Sequence, residues 1–251
     1  MSLSIERVST AERVADALRE HLLSGAIAPG TPMRDVDLSA RAGVSRTTVR
    51  EALAVLAREG LLTHSLHRGM EVARLAAADV RDIYAARRVI ERAGAEVLIA
   101  VPVRNLEELE RALHDMTEAT ARRNRRQVVE ADVAFHTAIA SALNNRRLRS
   151  AIVGVLMELR LVLSVTDRAY DDLDDQLRQH RELLGLFRER SPEAATALEE
   201  HLLHSEEMVC AAVEATDYRE GGVRGRPVAS FSGTGDEQSP LEHGVRDRPN
   251  G

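Results

Sequence analysis

The chain has 251 residues, of which 44% are hydrophobic, enough to bury one or two cores; with only 2% aromatics and no tryptophan, Ala, Leu and Val must fill them, which favours helices over a sandwich. No apolar run approaches a membrane span, no signal-peptide core opens the chain, and the single cysteine, Cys210, permits no internal disulfide, so the expected setting is soluble and cytoplasmic. The net charge is −6 and every basic residue is Arg, yet residues 1–74 hold ten Arg against nine acids while the remainder holds 24 against 31, so a weakly basic module precedes an acidic one.

The first predicted helix opens at Ser9, which with Glu12 forms a capping-box pattern, and runs to about Ser24, with Val14, Leu18, His21 and Leu22 roughly on one face. Gly25 ends it, and Pro29-Gly30 marks a turn. Asp35 is placed to cap a short second helix, Leu38–Ala42, and Gly43 can take the positive φ of a tight inter-helix turn. Ser45 then caps a third helix that ends at Gly60, with Val49, Leu53, Leu56 and Ala57 inward. Arg46, Thr47, Thr48 and Arg50 lie on its first turns, pointing outward. Arg can bond both acceptors of a guanine edge, and Thr can touch phosphate or a thymine methyl, so this is the layout of a recognition helix. The plainer alternative is a solvated helix end. Leu61–Thr63 and Met70–Ala73 read as a hairpin whose tip, His67-Arg68-Gly69, reaches toward backbone or minor groove. Three helices and a hairpin make a winged helix-turn-helix.

Beyond a short joint, Leu75–Asp79, the pattern is helical throughout. Helices are expected over Val80–Ala100, Leu106–Arg122 (capped by Asn105), Arg125–Leu143, Arg146–Val165, Asp171–Arg190 and Glu193–Ala215, the last opened by Ser191-Pro192. The expected fold is therefore mainly α: a winged helix-turn-helix over 1–74, then an antiparallel all-α six-helix bundle over 75–217. From Tyr218 to Gly251 the Gly, Arg, Pro, Ser and Asp content predicts a disordered tail.

Four residues of the bundle carry a chemical pattern. Asp132 and His136 are four apart and share a helical face. His180 and His201 lie about equally far on either side of the Ser191-Pro192 turn, so antiparallel packing brings them together. Three imidazoles and a carboxylate suit a divalent ion such as Zn²⁺, Ni²⁺, Mn²⁺ or Fe²⁺ with positions left for water or ligand. His204, one turn on from His201, is a second-rank candidate. The competing reading is three core or surface histidines with ordinary partners. The Arg-rich runs 121–126 and 144–149 read as solvated helix ends.

SGAIAPGTPM, DLSARAGVSRTTVREALAVLAREGLL and HRGMEV together resemble the winged-helix module of the GntR family of bacterial transcription regulators over Leu22–Val72. The resemblance implies DNA contacts at Ser45, Arg46, Thr48, Arg50 and the wing around Arg68 and Gly69. Where such regulators often carry Arg, this chain has Val36, with Arg34 two residues earlier. Residues 76–215 are similar to the FCD ligand-binding domain of the FadR-type subfamily, on Arg87 with Ile90-Glu91, Asp132-x-x-Phe135-His136, Asn145-x-x-Leu148, His180 and His201; six helices match its VanR-like members. This likeness implies a metal held by Asp132, His136, His180 and His201, and a small carboxylate effector held by the metal and Arg87. For Arg87 an intrahelical pair with Glu91 is the alternative. The implied function is a homodimeric regulator, of repressor sign, on double-stranded DNA with an inverted-repeat operator, its affinity set by the effector. Two other classes use the same cluster: a metal-dependent enzyme, and a sensor for which the ion itself is the signal.

Overall fold

The computed structural model describes residues 9–65, 69–100, 106–166 and 172–220. Its elements run α1 (Thr10–Leu23), α2 (Asp35–Ala42), α3 (Arg46–Arg58), β1 (Leu62–Ser65), β2 (Gly69–Val72), α4 (Ala77–Ala100), α5 (Leu106–Ala121), α6 (Arg125–Ser141), α7 (Arg146–Val165), α8 (Leu173–Glu189) and α9 (Ala194–Glu220). This is the expected mainly helical architecture, a winged helix-turn-helix followed by a six-helix bundle. The wing tip His67-Arg68, the Val101-Pro102 break and the Asn105 cap lie outside the described residues, as does the tail beyond Glu220. α9 itself runs past Tyr218, where the tail was expected to begin.

α1 begins where the sequence said. Ser9 accepts from the Glu12 amide while Glu12 reaches back to the Ser9 amide, so two orphan N–H groups are satisfied reciprocally. Its inner face is Ala11, Ala15, Leu18 and Leu22; Val14 and His21 sit at its edge. α2 starts three residues earlier than expected, and Asp35 does not cap it. The cap position is Arg34, with no side-chain bond, while Asp35 is occupied by arginines of α3. Gly43 closes α2 at φ 65°, where an L side chain would be strained. Ser45 caps α3 as expected through the Thr48 amide. β1 and β2 pair antiparallel, and the 30–33 segment lays a further edge on the wing through Met33 N–Met70 O (2.8 Å) and Gly30 N–Val72 O (2.8 Å).

In the bundle, α4 packs along α9, α5 between α6 and α8, and α6 against α7 and α4. Asn145 caps α7, and Asp172 caps α8. Ser191-Pro192 precedes α9 as a turn rather than as its first residues, since regular helix starts only at Ala194. Two apolar clusters result. The larger fills the bundle, and the smaller lies among α1, α3 and the wing. α7 links them. Its Leu161 is buried in the small cluster with Leu22, Leu56 and Leu61, and Ser164 approaches the turn at Gly25 so closely that a Cβ there would meet its carbonyl at 2.5 Å.

Candidate nucleic-acid interface and metal centre

The start of α3 presents the expected side chains to solvent. Ser45, Arg46, Thr47 and Arg50 are exposed and Thr48 is half-buried. Thr48 is not free to point away, because its hydroxyl shares a 2.8 Å hydrogen bond with the Ser45 hydroxyl that caps the helix. Gly69 stands exposed at φ 79° with open space around it, while Arg68 lies outside the described residues. Asp35 gathers the two arginines: Arg50 Nε donates to Oδ2 at 2.6 Å and Arg46 Nη2 at 3.1 Å. Their hydrogen bonds, Arg50's first, hold its carboxyl below the usual carboxylate range. Both arginines thus stand upright at the helix start on one carboxylate. Val36, which follows Asp35 in the chain, is 52% exposed.

The Asp/His cluster also closes. Asp132 and His136 on α6, His180 on α8 and His201 on α9 are all buried, with one potential ligand atom from each lying within 4.8 Å of the others. The rings of His180 and His201 are 4.9 Å apart between centroids, so the turn between α8 and α9 aligns them as the sequence spacing required. His204 faces solvent and takes no part.

Each imidazole is anchored from behind. His136 Nδ1 donates to Glu91 Oε2 at 2.5 Å, His180 Nδ1 to the Gln176 carbonyl at 2.8 Å, and His201 Nδ1 to Gln179 Oε1 at 2.8 Å. Those partners only accept, so each Nδ1 carries the proton and each Nε2 keeps a lone pair. Nε2 of His136 and of His180 finds no hydrogen bond among the described residues, although both stand near Asp132 Oδ1, at 3.6 and 3.0 Å. A lone pair facing a carboxylate oxygen at 3.0 Å repels unless a cation, a proton or a metal ion, is shared between them. Burial pushes His136 and His201 below the ordinary imidazole range, toward the neutral form that ligates metals; Glu91 opposes this at His136, while the other two rings reinforce it at His201. At Asp132 burial favours protonation, but the positive charge that His136 and His180 carry when protonated, with Arg87 behind them, outweighs it and holds the carboxyl well below the usual range.

Arg87 reaches the same chamber from α4. The intrahelical pair with Glu91 does form, Nε to Oε1 at 2.8 Å between side chains 2% and 0% exposed. Even so, Nη2 has no partner among the described residues, so the pair with Glu91 leaves that nitrogen unspent. Glu91 therefore serves Arg87 with one oxygen and His136 with the other. Gly94, one turn on, makes this possible: a Cβ there would meet the Ile139 carbonyl at 2.3 Å, so only glycine lets α4 approach α6 this closely. The outer partners Gln176 and Gln179 were not singled out from the sequence. A helical carbonyl four residues before His180 is always at hand, whereas nothing in the spacing marks Gln179.

A winged helix with an exposed arginine pair, joined to a helical bundle with a buried polar chamber, defines a DNA-binding regulator. The family model described as bacterial regulatory proteins, gntR family, matches residues 10–72, and that of the FCD domain matches residues 82–204. This chain belongs to the GntR family, in its branch carrying an FCD domain. It is similar to the "Probable D-xylose utilization operon transcriptional repressor" of Paenarthrobacter nicotinovorans, at 28% identity over 88% of this chain and 95% of that one. The gluconate operon transcriptional repressor of Bacillus licheniformis is 31% identical over 70% of this chain and 74% of its own length. A GntR transcriptional regulator of Rhodococcus sp. RHA1, of known structure, superposes with a TM-score of 0.74 at 32% identity, covering 80% of this chain and 98% of that one. The protein is a DNA-binding transcriptional regulator and not an enzyme, which sets aside the metal-dependent enzyme class. Among the described residues no helix is long and apolar enough to cross a membrane.

Proposed function

We propose that this regulator is a cytoplasmic homodimeric repressor that grips an inverted-repeat operator and lets it go when a small organic acid enters the bundle. Arg46, Arg50, Thr47 and Thr48 read the major groove, with Ser45 and the wing at Arg68 and Gly69 against the backbone or minor groove. Two such modules related by a two-fold axis meet two half-sites, which supplies the specificity one short helix lacks. The operon repressors among its relatives support the sign.

Asp132, His136, His180 and His201 hold a divalent ion, and one observation carries this: three buried imidazoles, each fixed through Nδ1, direct their remaining lone pairs at one another and at a carboxylate. Zn²⁺, Ni²⁺, Mn²⁺ and Fe²⁺ all suit this donor set. When bound, such an ion supplies a Lewis-acid grip on an anionic oxygen. Arg87 Nη2 offers a second, directional hold on the same carboxylate. The effector site and the winged helix communicate through α7, which packs on α4 and α6 and places Leu161 in the DNA-binding module's core. Coupling of this kind is typically about 1–3 kcal/mol and is reciprocal, so operator DNA must weaken the acid by the same factor.

The test is elemental analysis of the purified parent and of His136→Ala with His180→Ala. Metal in the parent and far less in the double variant supports the site, and equal content removes it. Selection of bound sequences from random DNA, followed by release with a panel of carboxylates, tests the rest. Release by chelator alone, with no acid effective, would make the ion itself the signal.

A further inference from the structure

The seam between the winged helix and the bundle holds a cavity of about 250 Å³. Its walls are Pro29 from the turn after α1, residues 73–76 of the joint, and the C-terminal parts of α7 and α9. Leu161 on this wall belongs to the core of the winged helix, while Val162 and Val213 belong to that of the bundle. The cavity therefore sits where the two cores meet without closing on each other. It has room for roughly eight water-sized groups at about 30 Å³ each. None of the residues that line it belongs to the Asp/His cluster.

The chemistry of the wall is one-sided. Arg74 carries the only charge among the described lining side chains. Its guanidinium lies against the backbone of Gly30, whose φ is 74°; a Cβ there would meet Arg74 Nε and Nη2 at 2.1 Å, so glycine leaves the cradle in which the guanidinium rests. Arg74 makes no hydrogen bond or ion pair with another described residue, whereas Arg19, Arg88 and Arg160 each hold a carboxylate. The two other polar lining residues have spent their hydrogens. Thr166 Oγ1 donates to the Val162 carbonyl at 3.1 Å and Thr216 Oγ1 to the Ala212 carbonyl at 2.8 Å. The rest of the wall is apolar. One cation beside an apolar pocket matches a ligand with one negative charge and a hydrocarbon body. A dianion such as a phosphate monoester would lack a second cation, and a row of hydroxyls would lack donors.

We propose that this cavity is a second ligand site, for a small monocarboxylic acid with an apolar body, its carboxylate on Arg74 and its chain between Leu161, Val165 and Val213. The site needs no ion and stands apart from the chamber. Its occupant touches the joint, α7 and α9 at once, and so bears directly on how the winged helix is set against the bundle. Hexanoate is the probe, having about the eight non-hydrogen atoms the space admits, and hexan-1-ol is the same body without the charge. In calorimetric titration of the full-length, metal-replete protein, hexanoate should bind at least about fivefold more tightly than hexan-1-ol, a modest ratio because Arg74 is exposed. Arg74→Gln should reduce that ratio to about twofold or less. Val165→Phe, at a half-buried position, puts a ring into the cavity and should weaken hexanoate about tenfold or more, the worth of about two displaced methylenes. No binding of hexanoate, equal affinity for acid and alcohol in the parent, or hexanoate binding undiminished in both variants would overturn the proposal. The last is the result if the acid enters the Asp/His chamber alone, and it leaves the reading of that chamber intact. If one variant fails to fold, the other decides.

Discussion

Replacing Glu91 by Ala should be among the most damaging single changes in the bundle. Its side chain is fully buried, with one carboxylate oxygen on Arg87 Nε at 2.8 Å and the other on His136 Nδ1 at 2.5 Å. Burial alone would raise its pKa, but Arg87 and then His136 reverse this and hold it below the usual range, so it is ionised in the fold. Truncation leaves the Arg87 guanidinium, 2% exposed, with its counter-charge gone. Breaking a buried pair this way typically costs about 3–5 kcal/mol. The lower half of that range is expected, because Arg87 also stacks on Tyr84 and feels the charge of Asp132. About 3–4 kcal/mol is a large part of the roughly 5–15 kcal/mol a domain possesses. The assay is urea unfolding followed by circular dichroism, on chelator-treated protein at one fixed concentration, because the proposed dimerisation and metal binding would each shift the apparent stability. Glu118→Ala is the control: its i,i+4 partner Arg122 is more than half exposed, and the pair should be worth about 0–1 kcal/mol. Glu91→Gln, which keeps the shape and an acceptor for His136, should retain more stability than Glu91→Ala yet bind metal about 10–100-fold more weakly than the parent. A Glu91→Ala protein within about 1 kcal/mol of the parent would refute the reasoning, since Arg87 could not then be held dry on Glu91.

Arg46→Ala and Arg50→Ala should each weaken operator binding by about 1–3 kcal/mol with unfolding curves unchanged; undiminished footprints in both would exclude the assigned recognition helix. Asp35→Asn removes the negative charge beside those two guanidiniums, so affinity for random DNA should rise and its dependence on salt should steepen in filter-binding across a salt series. A lower affinity for every sequence would instead make Asp35 chiefly a prop for the arginines. For pH, His136 and His201 have folded-state values depressed below the ordinary 6.5, so the unfolded chain takes up these protons first. Their contribution to stability is full above 6.5 and is lost as pH falls below it toward the folded values; melting temperatures of the metal-free protein that stay flat from about pH 7.5 to 5 would contradict this.

The contrast between what the residues announced and what they hid has a physical basis. Ser9 with Glu12, Gly43, and Ser45 each act within a few residues, so their local geometry follows from covalent structure and one or two hydrogen bonds. The Asp/His cluster was legible for a related reason. The step from Asp132 to His136 is one helical turn, and the equal arms about Ser191-Pro192 turn a long sequence separation into a simple geometric condition. What stayed hidden depends on how close two helices come. Asp35 looked like a cap because Asp at a helix start usually is one, but α3 brings two guanidiniums against it, and two charged donors displace a backbone amide as the better partner. The bridge from Arg87 through Glu91 to His136 requires α4 and α6 to touch, and the residue that permits it, Gly94, sits in mid-helix where its cost to helix formation gave no hint of purpose. A Cβ at that position would push the helices apart by way of the Ile139 carbonyl and draw Glu91 off His136. Gly94→Ala should therefore lower stability by about 1–3 kcal/mol and also loosen metal binding. An unchanged metal affinity in a folded Gly94→Ala protein would show that His136 holds its orientation without Glu91.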